Sequence, residues 1–185
     1  MFTSSINSAN KIQAPLTNGL ASWIPLTFAV ALVYQIIHWI EHVAQVYQHW
    51  WLGLAVFDSH GIIFFFDLEW NHFVFNSLYF IALLAIFWGL GLWRPSIWKK
   101  YGIWGSSALT FALVLQGYHQ FEHILKIIQH LTLGCEPCPG LLGWYIDGVN
   151  LHFTFNTLVL AFQLIVFFRF GMFTHLRAFL DKRPA

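Results

Sequence analysis

The chain has 185 residues, of which 58% are hydrophobic, 19% aromatic and only 9% charged. A soluble domain usually carries about 25% charged residues, so the composition excludes an ordinary soluble protein and is typical of an integral membrane protein. The formal net charge of +1 gives no indication of nucleic-acid binding, and we expect the lipid bilayer to be the main partner.

Four apolar segments are long enough to cross the ~30 Å of hydrocarbon in a bilayer. The fold class expected from them is an all-α integral membrane protein with a four-transmembrane-helix bundle. In chain order we predict a polar leader (1–21), a first repeat (22–93) with crossings at 22–50 and 72–93, a basic loop (94–102), a second repeat (103–172) with crossings at 103–132 and 151–172, and a basic tail (173–185).

The charges orient this bundle. Two outer loops, 53–71 and 134–150, contain no Lys or Arg but hold several acidic residues. Under the positive-inside rule both termini are cytoplasmic, in a cell membrane, and the acidic loops face outward. Eight of the nine Lys and Arg residues lie on the predicted inner side: Lys11, Arg94, Lys99, Lys100, Arg169, Arg177, Lys182 and Arg183.

An internal repeat joins the first and third crossings. Shifted by 81 residues, QIIHWIEHVAQVYQH (35–49) aligns with QGYHQFEHILKIIQH (116–130), and six of fifteen positions are identical. All six are polar in a mainly apolar segment, which indicates that each copy retains its polar groups. The identical pairs are Gln35/Gln116, His38/His119, Glu41/Glu122, His42/His123, Gln48/Gln129 and His49/His130.

A second match relates the other two crossings. Shifted by 80 residues, DLEWNHFVFNSL (67–78) aligns with DGVNLHFTFNTL (147–158), which pairs His72 with His152 and Asn76 with Asn156. Two tandem two-helix units in one orientation predict a pseudo-two-fold axis along the membrane normal.

Helical spacing brings the repeated polar residues together. On a helix of 3.6 residues per turn, five polar residues of the first segment fall within an arc of about 80°, namely Gln35, His38, His42, Gln45 and His49. Such a stripe would cost several kcal/mol per group if it faced lipid, so it must face the bundle interior. Counting along the helices places His72 level with His42, in the outer half of the membrane.

Histidine and carboxylate side chains at one depth are a ligand set for a transition metal. We expect iron or copper, with zinc or manganese as alternatives, and a dinuclear site built from both repeats. The arrangement is comparable in ligand logic to helical di-iron bundles with Glu-x-x-His pairs, and this likeness does not imply membership of that family. The predicted ligands are His38, Glu41, His42, His72, His119, Glu122, His123 and His152.

Further polar residues are expected to support this site or to form a shallower outer one. The asparagines would hydrogen-bond between helices or orient ligand histidines, and the aspartates would cap the following helices. This group consists of Gln35, Gln116, His49, His130, Asn76, Asn156, Asp67 and Asp147.

The two cysteines, Cys135 and Cys138, form a C-x-x-C pair in the second outer loop. On an oxidising outer side this pair favours a disulfide that rigidifies the loop. The alternative is an entry site for a soft metal.

Three functions are compatible with these features. The leading one is a membrane metalloprotein used in redox chemistry, either a metal-dependent oxidoreductase or a subunit of one. The second is an accessory subunit of a larger membrane complex, which either binds haem or a chlorophyll-type pigment through its histidines or only packs against other subunits. The third is a small proton or metal-ion transporter.

Overall fold

Helices form the framework of the protein. The computed structural model describes residues 21, 23–63 and 68–181. These residues contain no strand, which confirms the predicted all-α class. The helices are α1 (Trp23–Trp50), α2 (Glu69–Gly89), α3 (Pro95–Tyr101), α4 (Ile103–Leu133), α5 (Gly148–Arg169) and α6 (Met172–Leu180), with short 3-10 turns at Val56–Asp58 and Leu142–Trp144.

Glycine and proline set several helix boundaries. Pro95 occupies the first turn of α3, where its missing N–H has no intrahelical acceptor. Gly134 ends α4 with a left-handed φ of 67°, and Gly171 separates α5 from α6 with a φ of 60°. The predicted basic loop therefore contains a short helix, and the predicted basic tail begins with another.

Three helices are long and apolar enough to cross a membrane: α1, α2 and α5. The fourth predicted crossing, 103–132, forms the 31-residue helix α4, which is not among the three in the described part of the chain. Its exposed side chains are nevertheless apolar, for example Phe111, Val114 and Ile128. Its polar side chains, among them Gln116 and His119, are buried. The average hydropathy of α4 is thus lowered by the face that it turns toward the other helices.

The four long helices pack in a closed arrangement. Both α1 and α4, which carry the histidine-rich segments, contact α2 and α5. One end of the interior is an apolar core that includes Ile24, Phe28, Leu83, Leu109 and Phe170, all almost fully buried. The other end is polar, and the repeated side chains meet there.

Candidate metal centre

Six histidines converge at the polar end of the interior. Each long helix contributes: α1 and α4 provide two histidines apiece, and α2 and α5 one each. Within each group of three, one ligand nitrogen per ring lies within 4.8 Å of the others. We name the groups site A (His38, His42 and His72) and site B (His119, His123 and His152).

In each site, the two histidines of one helix point their Nε2 atoms at the same place. The Nε2–Nε2 distance is 3.2 Å between His38 and His42, and 3.4 Å between His119 and His123. Two imidazoles bound to one ion at about 2.0–2.1 Å have nitrogens roughly 2.9–3.4 Å apart, for ligand angles from 90° to tetrahedral. The spacing therefore matches that of two ligands on a shared metal ion.

The opposite ring nitrogens are held by hydrogen-bond acceptors. His42 Nδ1 lies 2.7 Å from Gln45 Oε1, and His152 Nδ1 lies 2.6 Å from the carbonyl oxygen of Gly148. His123 Nδ1 lies 2.6 Å from the Glu69 carboxylate. Because each acceptor requires a proton on Nδ1, the neutral ring presents an unprotonated Nε2, the form that binds metal.

Sites A and B are in direct contact. The His72 ring of site A stacks on His123 of site B, with centroids 5.5 Å apart and planes 9° apart. His42 stacks on His152 at 5.5 Å in the same way. The ring centroids of His72 and His42 are 5.6 Å apart, in agreement with the prediction that the two residues lie at the same depth along the helices. The six rings form one cluster of two groups, each of which could hold a metal ion.

Asparagine and glutamine residues connect the helices just below this cluster. Gln35 donates to Asn156 Oδ1 at 2.9 Å, and Asn156 donates to the carbonyl oxygen of His152. The equivalent bonds in the other half run from Gln116 to Asn76 Oδ1, at 2.8 Å, and from Asn76 to the carbonyl oxygen of His72. Each repeat thus holds the helix turn that carries a histidine of the other site.

The two glutamates lie outside both sites. Glu41 Oε2 accepts hydrogen bonds from the backbone N–H groups of Ile62 and Ile63, at 2.7 and 3.1 Å. Glu122 accepts from Leu141 and Leu142 at 2.8 and 3.1 Å. Their carboxylates therefore fasten the outer loops to α1 and α4, and neither belongs to a histidine group.

The remaining repeated residues also hold the outer loops. Gln48 exchanges two hydrogen bonds of 2.8 Å with the backbone of Gly61, and Gln129 does the same with Gly140 at 2.9 and 2.8 Å. His49 and His130, which were predicted to form a shallower outer site, also contact the loops. The Nδ1 atom of each lies 2.9 Å from a loop carbonyl oxygen.

Two glycines that allow the loops to approach the glutamates were not identified from the sequence. Gly61 and Gly140 have left-handed φ angles of 75° and 69°, and a Cβ at either would collide with the carboxylate of Glu41 or Glu122. The signal was present as Gly-Ile-Ile (61–63) and Gly-Leu-Leu (140–142), which repeat at an offset of 79.

Gly140→Ala is expected to destabilise the protein more than Gly134→Ala. Both positions have φ near 68°, at 69° and 67°, but only Gly140 lies against a carboxylate. The strained φ costs roughly 1–2 kcal/mol in each variant. Displacing Glu122 should add about 1.5–3 kcal/mol from its lost hydrogen bonds. Denaturant unfolding of the purified protein measures the difference, and equal losses would contradict this role for Glu122.

Glu69 and Lys126 make the two sites unequal. Glu69 hydrogen-bonds His123 of site B, and its carboxylate lies 3.7 Å from Lys126 Nζ. The positions equivalent to Lys126 and Glu69 are Gln45 and Val149, which are uncharged. The repeat comparison passed over Glu69 because it has no acidic counterpart. Lys126 forms an ion pair with Glu69.

A cavity of about 390 Å³ lies between the histidines and the two outer loops. His42, His72 and His152 line its inner end, together with the four residues that distinguish the sites. The remaining wall is mostly apolar and comes from the loops and helix starts. It comprises Val56, Phe57, Ser59, His60, Leu68, Glu136, Pro137 and Gly148.

The loop at 134–147 is constrained by covalent and capping contacts. Cys135 and Cys138 form a disulfide. Asp147 caps α5, since its Oδ1 accepts from the Asn150 N–H at 2.9 Å. Asp67, predicted to play the same part for α2, lies outside the described residues.

No family model, curated protein or solved structure matches the chain. The geometry of the histidine cluster therefore provides the basis for assigning a function.

Proposed function

We propose that this chain is an integral membrane metalloprotein that holds two adjacent transition-metal ions, one on each group of three histidines. The carrying observation is the matched geometry of the two groups. In both, two Nε2 atoms of one helix lie 3.2 or 3.4 Å apart, with a third histidine arriving from a neighbouring helix. Hydrogen bonds at Nδ1 of three of the rings already select the metal-binding form.

The donor set favours copper or zinc over iron. Non-haem iron sites combine histidine with carboxylate, whereas copper and zinc accept imidazole alone. With Glu41 and Glu122 bonded to the loops, each site offers three neutral nitrogens. Two copper ions would supply a two-electron redox centre, so the proposed activity is that of a membrane oxidoreductase or a redox subunit.

Buried charge supports the presence of cations. Glu41 and Glu122 are 5% and 2% exposed, and neither has an ion-pair partner among the described residues. Each precedes a metal-site histidine directly in the sequence. Uncompensated buried carboxylates are costly even when hydrogen-bonded, and adjacent metal ions would offset that cost.

The alternatives fit the geometry less well. A tetrapyrrole needs a gap between axial histidines, but the six rings contact each other at centroid distances of 4.5–5.7 Å. A transporter needs a polar path through the bundle. Below the Gln and Asn layer the interior is mainly the apolar core of Phe28, Leu83 and Leu109, and Gln163 and Ser106 are isolated buried polar side chains there.

The membrane arrangement is part of the proposal. We place α1, α2, α4 and α5 across a cell membrane as a four-helix bundle of two tandem repeats, with both termini cytoplasmic. The exposed apolar surface of α4 supports its inclusion. The metal pair then lies in the outer half of the bilayer, beneath the two acidic loops. The outer surface of the bundle remains available for contacts with other membrane subunits.

Metal analysis tests the proposal. Protein purified in lipid nanodiscs, stripped with chelator and reloaded with copper is expected to retain two equivalents by mass spectrometry. Its absorption spectrum should lack the intense bands of haem or chlorin. A metal content well below one equivalent after reloading would refute the metal pair.

A further inference from the structure

The pseudo-symmetry of the interior breaks at the cavity. Four residues at equivalent positions line it: Lys126 and Gln45 form one pair, and Glu69 and Val149 the other. Beside site B the cavity is charged, since Glu69 contacts His123 and lies 3.7 Å from Lys126. The equivalent residues are an amide and an aliphatic side chain. A molecule bound in the cavity therefore meets two different ends.

Lys126 is an unusual group at this position. Its side chain is 8% exposed and lines the cavity. The 3.7 Å separation from Glu69 is longer than the 2.7–2.9 Å of a charge-assisted hydrogen bond. Among the described residues, the Glu69 carboxylate is the acceptor that its ammonium group approaches. An ammonium group has three N–H donors, and an anionic ligand oxygen in the cavity would accept from those that Glu69 does not use.

The charge of a metal-loaded site also favours an anionic ligand. Six neutral imidazoles leave the charge of two metal ions uncompensated by their direct ligands. An anionic oxygen donor would complete the coordination and reduce this charge at once. The outer walls, by contrast, are largely apolar, with Val56, Phe57, Leu68 and Pro137 among them, and their polar residues are Ser59, His60 and Glu136.

We propose that the cavity is the binding site for a small molecule with one anionic oxygen donor and an apolar body. The anionic end lies beside Lys126 and site B, and the apolar body extends along the Val149 side toward the loops. A cavity of about 390 Å³ is within the usual range for small-molecule sites. This assignment rests on the proposed metal pair.

Benzoate is a suitable probe because it has a carboxylate and an apolar ring. Calorimetric titration into zinc-loaded full-length protein in nanodiscs is expected to show saturable binding. Acetate, which lacks the ring, and benzamide, which lacks the charge, should each bind at least tenfold more weakly. Zinc is chosen because it is colourless and redox-silent.

Lys126→Gln is the decisive variant. The other repeat has Gln45 at this position, and the Glu69 carboxylate that remains is 27% exposed, so the substitution leaves no fully buried lone charge. It should weaken benzoate binding at least tenfold while the protein still retains two zinc ions. Lys99→Gln, at an exposed position on α3, is the matched control and should leave benzoate binding unchanged.

The two proposals fail in different ways. A wild-type protein that retains no metal would refute the metal pair, irrespective of benzoate. Two retained zinc ions with equal benzoate affinity in wild type and Lys126→Gln would overturn the anion site and leave the metal pair intact. Equal binding of benzoate and benzamide would overturn it as well.

Discussion

Replacement of both His38 and His42 by glutamine is expected to reduce the retained metal from two ions to one. These two residues supply the Nε2 pair of site A, and His72 alone cannot hold an ion in competition with chelator. Glutamine keeps most of the side-chain volume and its hydrogen-bonding capacity, so the helix remains buried in the same place. Mass spectrometry of the reloaded, desalted protein measures the loss.

The mirror variant provides an internal check. His119→Gln with His123→Gln should also leave one ion, and all four substitutions together should leave none. The matched control is His49→Gln with His130→Gln, because those histidines bind loop carbonyls and belong to neither site. Unchanged metal content in the site variants, or an equal loss in the control, would contradict the assignment.

The convergence of the six histidines was predictable because a polar side chain on an apolar membrane helix avoids lipid only by facing the interior of the bundle. The repeat identified His38, His42 and their counterparts, and counting residues along the helices brought His72 and His152 to the same depth. The all-α class followed from composition. In each case the cost of exposing polar groups to lipid leaves one arrangement.

The separate roles of the glutamates and histidines were not predictable in this way. In the unit His-x-x-Glu-His all three side chains lie near one helix face, so periodicity does not separate a metal ligand from a loop anchor. The distinction depends on where the outer loop returns, and Gly61 and Gly140 determine that path through their φ angles. Glu69 was missed for another reason. The repeat comparison identifies residues that both copies share, and the residue equivalent to Glu69 is the uncharged Val149.

The structure also predicts that the two metal sites differ in affinity, and that two substitutions can make them alike. His123 donates to the carboxylate of Glu69, whereas His42 donates to the neutral amide of Gln45. A carboxylate partner raises the basicity of a ligating imidazole, and removing such a partner typically costs 10–100-fold in metal affinity. Site B should therefore fill first, and a competitive titration with a chelator should show two steps.

Glu69→Val combined with Lys126→Gln gives the charged half the residues of the neutral half, Val149 and Gln45. The tighter step should weaken about 10–100-fold, so that the two steps merge while the total stays at two ions. Removing both members of the ion pair together avoids leaving the buried Lys126 ammonium without its partner. Glu136→Gln is the matched control, since Glu136 lines the cavity but is itself exposed. Two steps that persist unchanged in the double variant would show that the inequality has another origin, whereas merged steps would assign it to the carboxylate on His123.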